Sequence, residues 1–222
     1  VRDALASWDG DTSSILVGTK GGITRTADND FGRDGSLGYL RSAVQRSMEN
    51  LGVDVIDFYQ YHRPDRWMVY GEIMQNLKTL QDEGLVRALG ISNASVEEIA
   101  IADDVLGEWN LASVQNQFSP RYPSSFGELQ YCDAHGIAFL PWSPLGGTGG
   151  GGRSVGERFG VFREIGEAHG VSPQQVVLAW ELSLSSVVVP IPGARRPASI
   201  ADSARAADLT LTDAELARCS DA

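Results

Sequence analysis

Lysine is almost missing from this chain. Lys20 and Lys78 stand against sixteen arginines, histidine is held to three residues and cysteine to two. Cys132 and Cys219 are far apart and in no metal-ligand spacing, so no metal site is expected and buried free thiols of a reducing cytoplasm are. No apolar run approaches the roughly 18 residues that span a bilayer, and no basic stretch precedes an apolar one at the start, so neither a membrane segment nor a secretory signal is expected. Positive charge is short overall. Eighteen Lys and Arg against 29 Asp and Glu leave a net charge of −11, which repels phosphate backbones and argues against a nucleic-acid partner. What remains, 222 residues with 42% hydrophobic and 21% charged side chains, describes one globular domain over residues 1–222.

Short β-branched runs alternate with longer helical stretches. Strands are expected at residues 14–19, 53–59, 86–91, 112–118, 137–142 and 187–191. The run 14–19 is continuous and apolar, as in a sheet covered on both faces. Helices are expected at 41–51, 72–83, 158–169 and 173–183. A further one is capped by Ser95 with Glu98 three residues on, and a short C-terminal one by Thr212. Six βα units at a spacing of about thirty residues imply a parallel sheet, either open or closed into a barrel, and a closed barrel needs about eight strands and 250 residues. The glycine stretch 146–152 has no bulky side chain to join a core and is expected to be a mobile loop.

Polar groups stand at strand ends, where α/β proteins build their sites. Lys20 follows the first strand. In a chain that otherwise prefers arginine, a lysine there points to an ammonium held partly out of water, a surface lysine being the alternative. His62 follows the second strand and precedes a Pro turn. A neutral imidazole there can donate to a carbonyl oxygen as negative charge develops, a structural histidine being the alternative. His135 and His169 precede glycines at helix ends and read as C-terminal caps. Ser92 and Asn93, Gln115 and Asn116, and the run Trp142-Ser143-Pro144-Leu145-Gly146 offer amides, hydroxyls and an indole face suited to a carboxamide and a flat ring. Gly193, Arg195 and Arg196 before a helix form a phosphate-friendly start, or else a turn with solvated arginines.

The stretches VGTKGG, FGRDGS, LGVDVIDFYQYHRPD, LQDEGLVRALGISN, SVQNQFSP, HGIAFLPWSPLGG and VVVPIPGARRP resemble, in order and spacing, the aldo-keto reductase family, close to its bacterial members related to potassium-channel β subunits. The resemblance covers nearly the whole chain. It implies an α/β fold of the (β/α)8 TIM-barrel type and reduction of aldehydes or ketones with NADPH, expected here over NADH. By resemblance Lys20 and His62 are the lysine and histidine of the family's Asp-Tyr-Lys-His tetrad. Ser92, Asn93 and Gln115 match the holders of the nicotinamide carboxamide, Trp142 the aromatic stacked on the ring, and Ser143, Pro144, Leu145 and Gly146 the loop that reaches the pyrophosphate.

The resemblance has gaps. The family's Asp and Tyr lie upstream of this chain's start, and nothing before Lys20 supplies them: Asp3, Asp9 and Asp11 read as surface loop residues, and the first tyrosine is Tyr39. An incomplete barrel is therefore expected, about six βα units with the first two strands absent and roughly sixty residues belonging upstream. Ser199 stands where the family commonly has an Arg for the 2′-phosphate, and Asp202 with Ser203 where it has a Glu-Asn pair for the adenine, so Arg195 or Arg196 would have to replace the phosphate contact. The alternative is a truncated protein without reductase activity that binds a ligand or carries out a lyase or cyclase step through His62. An open sheet edge implies a homo-oligomer. Phe31, Trp67, Phe118 and Tyr122 are expected to line the mouth and to favour a small hydrophobic carbonyl compound.

Overall fold

The computed structural model describes residues 1–25, 28, 30–147 and 151–222. It divides into two compact units, Val1–Val114 and Gln115–Ala222. The first opens with a one-turn exposed helix, α1 (Arg2–Ala6), which includes Asp3. There follow β1 (Gly18–Gly21), β2 (Ile23–Arg25), β3 (Phe31–Arg33), α2 (Leu37–Leu51), β4 (Ile56–Tyr61), α3 (Tyr70–Asp82), β5 (Val86–Ser92), α4 (Val96–Leu106) and β6 (Leu111–Gln115), the last reaching the division between the units.

The strands β1, β4, β5 and β6 stand in that order in one sheet, and β1 and β5 both pair in parallel with β4. Parallel neighbours joined through helices are βα units of the expected kind. Each helix turns an apolar stripe inward: Leu40, Ala43 and Val44 from α2, Ile73, Met74, Leu77 and Leu80 from α3, and Ile99, Ala102 and Leu106 from α4 are buried. Helix α2 starts four residues before the expected point because Ser36 caps it, its hydroxyl accepting from the Tyr39 N–H, and Gly52 closes it in the left-handed region at φ 72°. The capping box of Ser95 and Glu98 forms as expected.

Two expectations shift. The first strand lies at 18–21 and not at 14–19, and Leu16 is 76% exposed. The side chain of Asp57 takes the Val17 N–H at 3.3 Å, where a longer strand would use backbone, and Asp57 is itself ion-paired with Arg87. The antiparallel hairpin of β2 and β3 was not foreseen, because three-residue strands flanked by Asp, Asn and Gly carry no alternation to read.

The second unit holds α5 (Phe126–His135), β7 (Ala138–Phe139), α6 (Gly151–Arg158), α7 (Gly160–His169), α8 (Pro173–Ser183), α9 (Pro197–Ala204) and α10 (Asp213–Ser220). Where a six-residue strand was expected at 137–142, two residues pair. The expected strand at 187–191 is reduced to parallel bridges of Val188 with Phe139 and Ile191 with Trp142. Proline explains both, since Pro141, Pro190 and Pro192 have no N–H to give a ladder. Among the described residues, five strands thus take part in βα units where six were expected. The glycine stretch also departs from expectation: Gly151 and Gly152 begin α6, while positions 148–150 of that stretch lie outside the described residues.

The core of this unit is aromatic. Phe118 is 1% exposed, stacks on Trp180 at 6.0 Å and meets Phe139 edge-on at 6.1 Å, so it is a core residue and not the mouth residue expected. Helix α8 is buried over seven consecutive residues, Gln175 to Glu181. Thr212 and Glu215 form a capping box on α10, and Glu215 also pairs with His169 at 2.8 Å; the Thr212 N–H first, then His169, hold its carboxyl down at about 2. His169 therefore acts as an interhelix partner at the end of α7 as well as lying in its last turn. His135 bonds the Tyr131 carbonyl in its own last turn, as a cap should.

Among the described residues the Tyr59 and Tyr61 hydroxyls and the Glu181 carboxyl are buried without a hydrogen-bond partner. Glu181 has no exposed surface, neither carboxylate oxygen has a hydrogen-bond partner among the described residues, and burial raises its pKa well above the carboxylate range. The protonated form is the one the fold favours, so this stability is complete below the ordinary carboxylate pKa and is lost as pH rises through the raised folded value. Glu181→Leu is expected to stabilise the protein by about 1–3 kcal/mol at pH 8 and by less at pH 5, measured as the shift in thermal midpoint between variant and parent at the two pH values.

Candidate active site

The first unit builds a polar cluster from three adjacent strand ends. Residue pairing sets Lys20 opposite Gln60, and side chains two apart on a strand share a face. Lys20, Gln60 and His62 therefore lie on one side of the sheet. The electrostatics agree: burial, then the charges of Lys20 and Arg63, hold the His62 pKa below the ordinary histidine range. Loss of water around its ammonium lowers Lys20 in turn, although the residue as a whole is exposed. The backbone reinforces the pairing, because the His62 N–H donates to the Gly21 carbonyl at 2.8 Å, one residue beyond Lys20. Glycine is required at position 21, where a Cβ would collide with the Tyr59 hydroxyl on the opposite face.

Ser92 and Asn93 close the cluster at the end of β5. Ser92 is 1% exposed. Asn93 takes the left-handed backbone at φ 59°, and its Nδ2 donates to the His62 carbonyl and to Ser92 Oγ, both at 3.0 Å. Beneath His62, the buried Gln60 amide donates to the buried Ser113 hydroxyl at 3.1 Å. Glycine at position 90 makes room, a Cβ there lying 2.7 Å from Ser113 Oγ. Gln60 and Ser113 went unnoticed in the sequence. The period-two step back from His62 was the available signal for Gln60; nothing local marked Ser113.

The hairpin stands beside this cluster. Arg33 donates to the Pro64 carbonyl at 2.9 Å, joining β3 to the loop that follows His62, and the Tyr39 hydroxyl donates to the Ile23 carbonyl at 2.7 Å. Phe31 and Trp67 are 70% and 96% exposed.

In the second unit Gln115 and Asn116 are buried, and Trp142 is half-buried between parallel bridges to Gln117 and Ile191. Ser143 turns the chain with φ 55°, and the Gly146 N–H returns to its carbonyl at 2.9 Å, making Ser143-Pro144-Leu145-Gly146 a tight turn. That turn packs on the start of α6 so closely that a Cβ on Gly151 would lie 2.6 Å from the Gly146 backbone. Gly193, Arg195 and Arg196 are exposed ahead of α9, where Arg196 is the cap residue and accepts the Ser199 N–H through its carbonyl at 3.0 Å. Asp202 is already engaged: its two oxygens accept from Ser172 Oγ and Gln175 Nε2, each at 2.6 Å, tying α9 to the start of α8.

The chain belongs to the aldo/keto reductase family, whose model matches residues 1–222. It is 34% identical over 213 residues to a 6-dehydroglucose reductase of Novosphingobium aromaticivorans, covering 92% of this chain and 67% of that one. To an uncharacterised oxidoreductase of Schizosaccharomyces pombe it is 30% identical over 218 residues, with coverage of 98% and 67%. The chain thus spans about two thirds of the length of both relatives. Among solved structures, the glycerol dehydrogenase of Gluconobacter oxydans superposes with a TM-score of 0.84 at 23% identity, covering all of this chain and 75% of that one. The likeness establishes the fold as that of the TIM-barrel aldo-keto reductases, in agreement with the parallel βα units.

The engagement of Asp202 yields a test. Asp202→Ala strands the Ser172 hydroxyl and the Gln175 amide, and is expected to cost about 1–3 kcal/mol of stability, read as a lowered thermal midpoint in the absence of any nucleotide.

Proposed function

We propose that this protein is an NADP-dependent oxidoreductase that reduces an aldehyde or ketone, with Lys20 and His62 at the reacting carbonyl. The observation that carries the reading is the convergence of Lys20, His62, Ser92 and Asn93 at three neighbouring strand ends. An ammonium and a neutral imidazole on one face supply a positive charge and a hydrogen-bond donor where oxygen gains negative charge.

The residues suit a dinucleotide. Arg195 and Arg196 are exposed at a helix N-terminus and have no carboxylate partner among the described residues, which is the donor chemistry of a phosphate site. Ser92, Asn93 and Gln115 would hold the carboxamide, Trp142 would stack on the ring, and the turn 143–146 with Gly193 would face the phosphates. Ser199 in the first turn of α9 has a hydroxyl for the ribose end, and the 2′-phosphate falls to the two arginines. When bound, the nicotinamide supplies the hydride. The chain's own residues would hold the oxygen: His62, kept neutral by burial and then by the Lys20 charge, donates a hydrogen bond to the carbonyl oxygen, the Lys20 charge stabilises the oxyanion, and the alkoxide takes its proton from solvent water to give the alcohol.

Substrate choice follows from the mouth. Phe31, with the Arg25 guanidinium over its ring, and Trp67, in the segment that follows His62, are exposed aromatic residues, which supports a small hydrophobic carbonyl compound. A relative named for reduction of 6-dehydroglucose supports a carbonyl substrate in general terms.

Titration with NADPH is expected to give saturable quenching of tryptophan fluorescence, and 4-nitrobenzaldehyde to be turned over at the expense of NADPH. Lys20→Met and His62→Ala are each expected to lower kcat by about 10²–10⁴-fold while quenching persists. Absence of quenching at high micromolar NADPH, or turnover that survives Lys20→Met, would remove this reading.

A further inference from the structure

The peptide of His62 is held from both sides. Its N–H is bound by the Gly21 carbonyl, next to Lys20, at 2.8 Å, and its carbonyl by the Asn93 amide at 3.0 Å. It therefore bridges from the strand that carries the lysine to the strand end that carries Ser92. The first bond is ordinary ladder pairing of β1 with β4. The second is made by a side chain, and only because Asn93 adopts φ 59°, a conformation that asparagine enters more readily than most residues. Its Nδ2 has two hydrogens, and these bonds use both, one on His62 and one on Ser92 Oγ.

From this arrangement we infer that Asn93 is a positioning residue for His62: by clamping the His62 carbonyl at the end of β5 it fixes the imidazole against Lys20. Past Tyr61 the strand β4 ends and the chain turns through Arg63, Pro64 and Asp65. Beyond the His62 N–H the ladder no longer holds the backbone, and without a further tether the carbonyl side of the histidine would swing with the loop. The Arg33 bond to the Pro64 carbonyl fixes the loop two residues later and from the hairpin side. Asn93 fixes the histidine itself. The effect on turnover rests on the assignment of His62 proposed above. The geometric part is separate and is tested without cofactor or substrate.

The test reads the electrostatic coupling between Lys20 and His62 by NMR titration of the imidazole in the full chain. The three histidines are told apart with His62→Gln. In the parent, Lys20→Met is expected to raise the His62 midpoint, since a neighbouring positive charge is removed. In Asn93→Gly, which tolerates positive φ but has no amide, Lys20→Met is expected to move the midpoint by less than half as much. Asn93→Asp keeps the shape and the acceptor but loses both donors, and the same reduced increment is expected, the new charge cancelling because the comparison is made within one background. Ser92→Ala leaves the His62 bond in place and is expected to keep the full increment. In turnover, Asn93→Gly is expected to lower kcat about tenfold, and to lower it no further when added to His62→Ala. A folded Asn93→Gly or Asn93→Asp protein with an undiminished increment would overturn the inference. Absence of NADPH-dependent turnover in the parent protein, with a diminished increment in Asn93→Gly, would instead overturn the reductase reading and leave the clamp standing.

Discussion

The register of β1 on β4 is the constraint on which the site depends. Pairing Gly18 with Phe58 sets Lys20 opposite Gln60 and, through the two-residue period, on the same face as His62. A slip by one residue would turn the lysine to the other face, among the side chains that cover Tyr59. Two features hold the register. Asp57 stops the strand at its start by taking the Val17 N–H, and Gly21 at its end admits the Tyr59 hydroxyl where any side chain would strike it. The lysine is thus placed by groups with no chemistry of their own.

The two units contribute different means of holding polar groups. In the first, polar atoms are fixed by bonds between neighbouring strands, Gln60 to Ser113 in a buried layer and Asn93 to His62 at its half-buried edge. In the second, they sit at turns and helix starts, where backbone N–H groups and free guanidinium groups are on offer.

Much of this was legible in the residues. The helices at α2, α3, α7 and α8 are written in apolar spacing, and the caps at Ser95, Ser172 and Thr212 in the residues that follow them. Lys20 and His62 were visible because each is a chemically distinctive residue placed where an apolar run stops. Phe118 misled, because an aromatic residue after a strand reads the same whether it faces a mouth or a core, and only its stacking on Trp180 decides. Asp202 was read as an adenine contact, while the structure shows its oxygens bonded to Ser172 and Gln175, 30 and 27 residues away in the chain. The strands near residues 138 and 188 were overstated because their apolar runs are real but their prolines withdraw the N–H groups a ladder needs.

The sequence by itself determined the alternation of strand and helix, the family and the chemical kind of each candidate group, since these depend on local periodicity, capping and ordered motifs. Tertiary structure alone decided which of those groups meet. The pairing of Lys20 with the His62 strand, the Asn93 bond across to it and the layer of Gln60 and Ser113 all join residues 31 to 53 positions apart. No local signal fixes such partners, because they are chosen by strand register and by the space that glycines leave open.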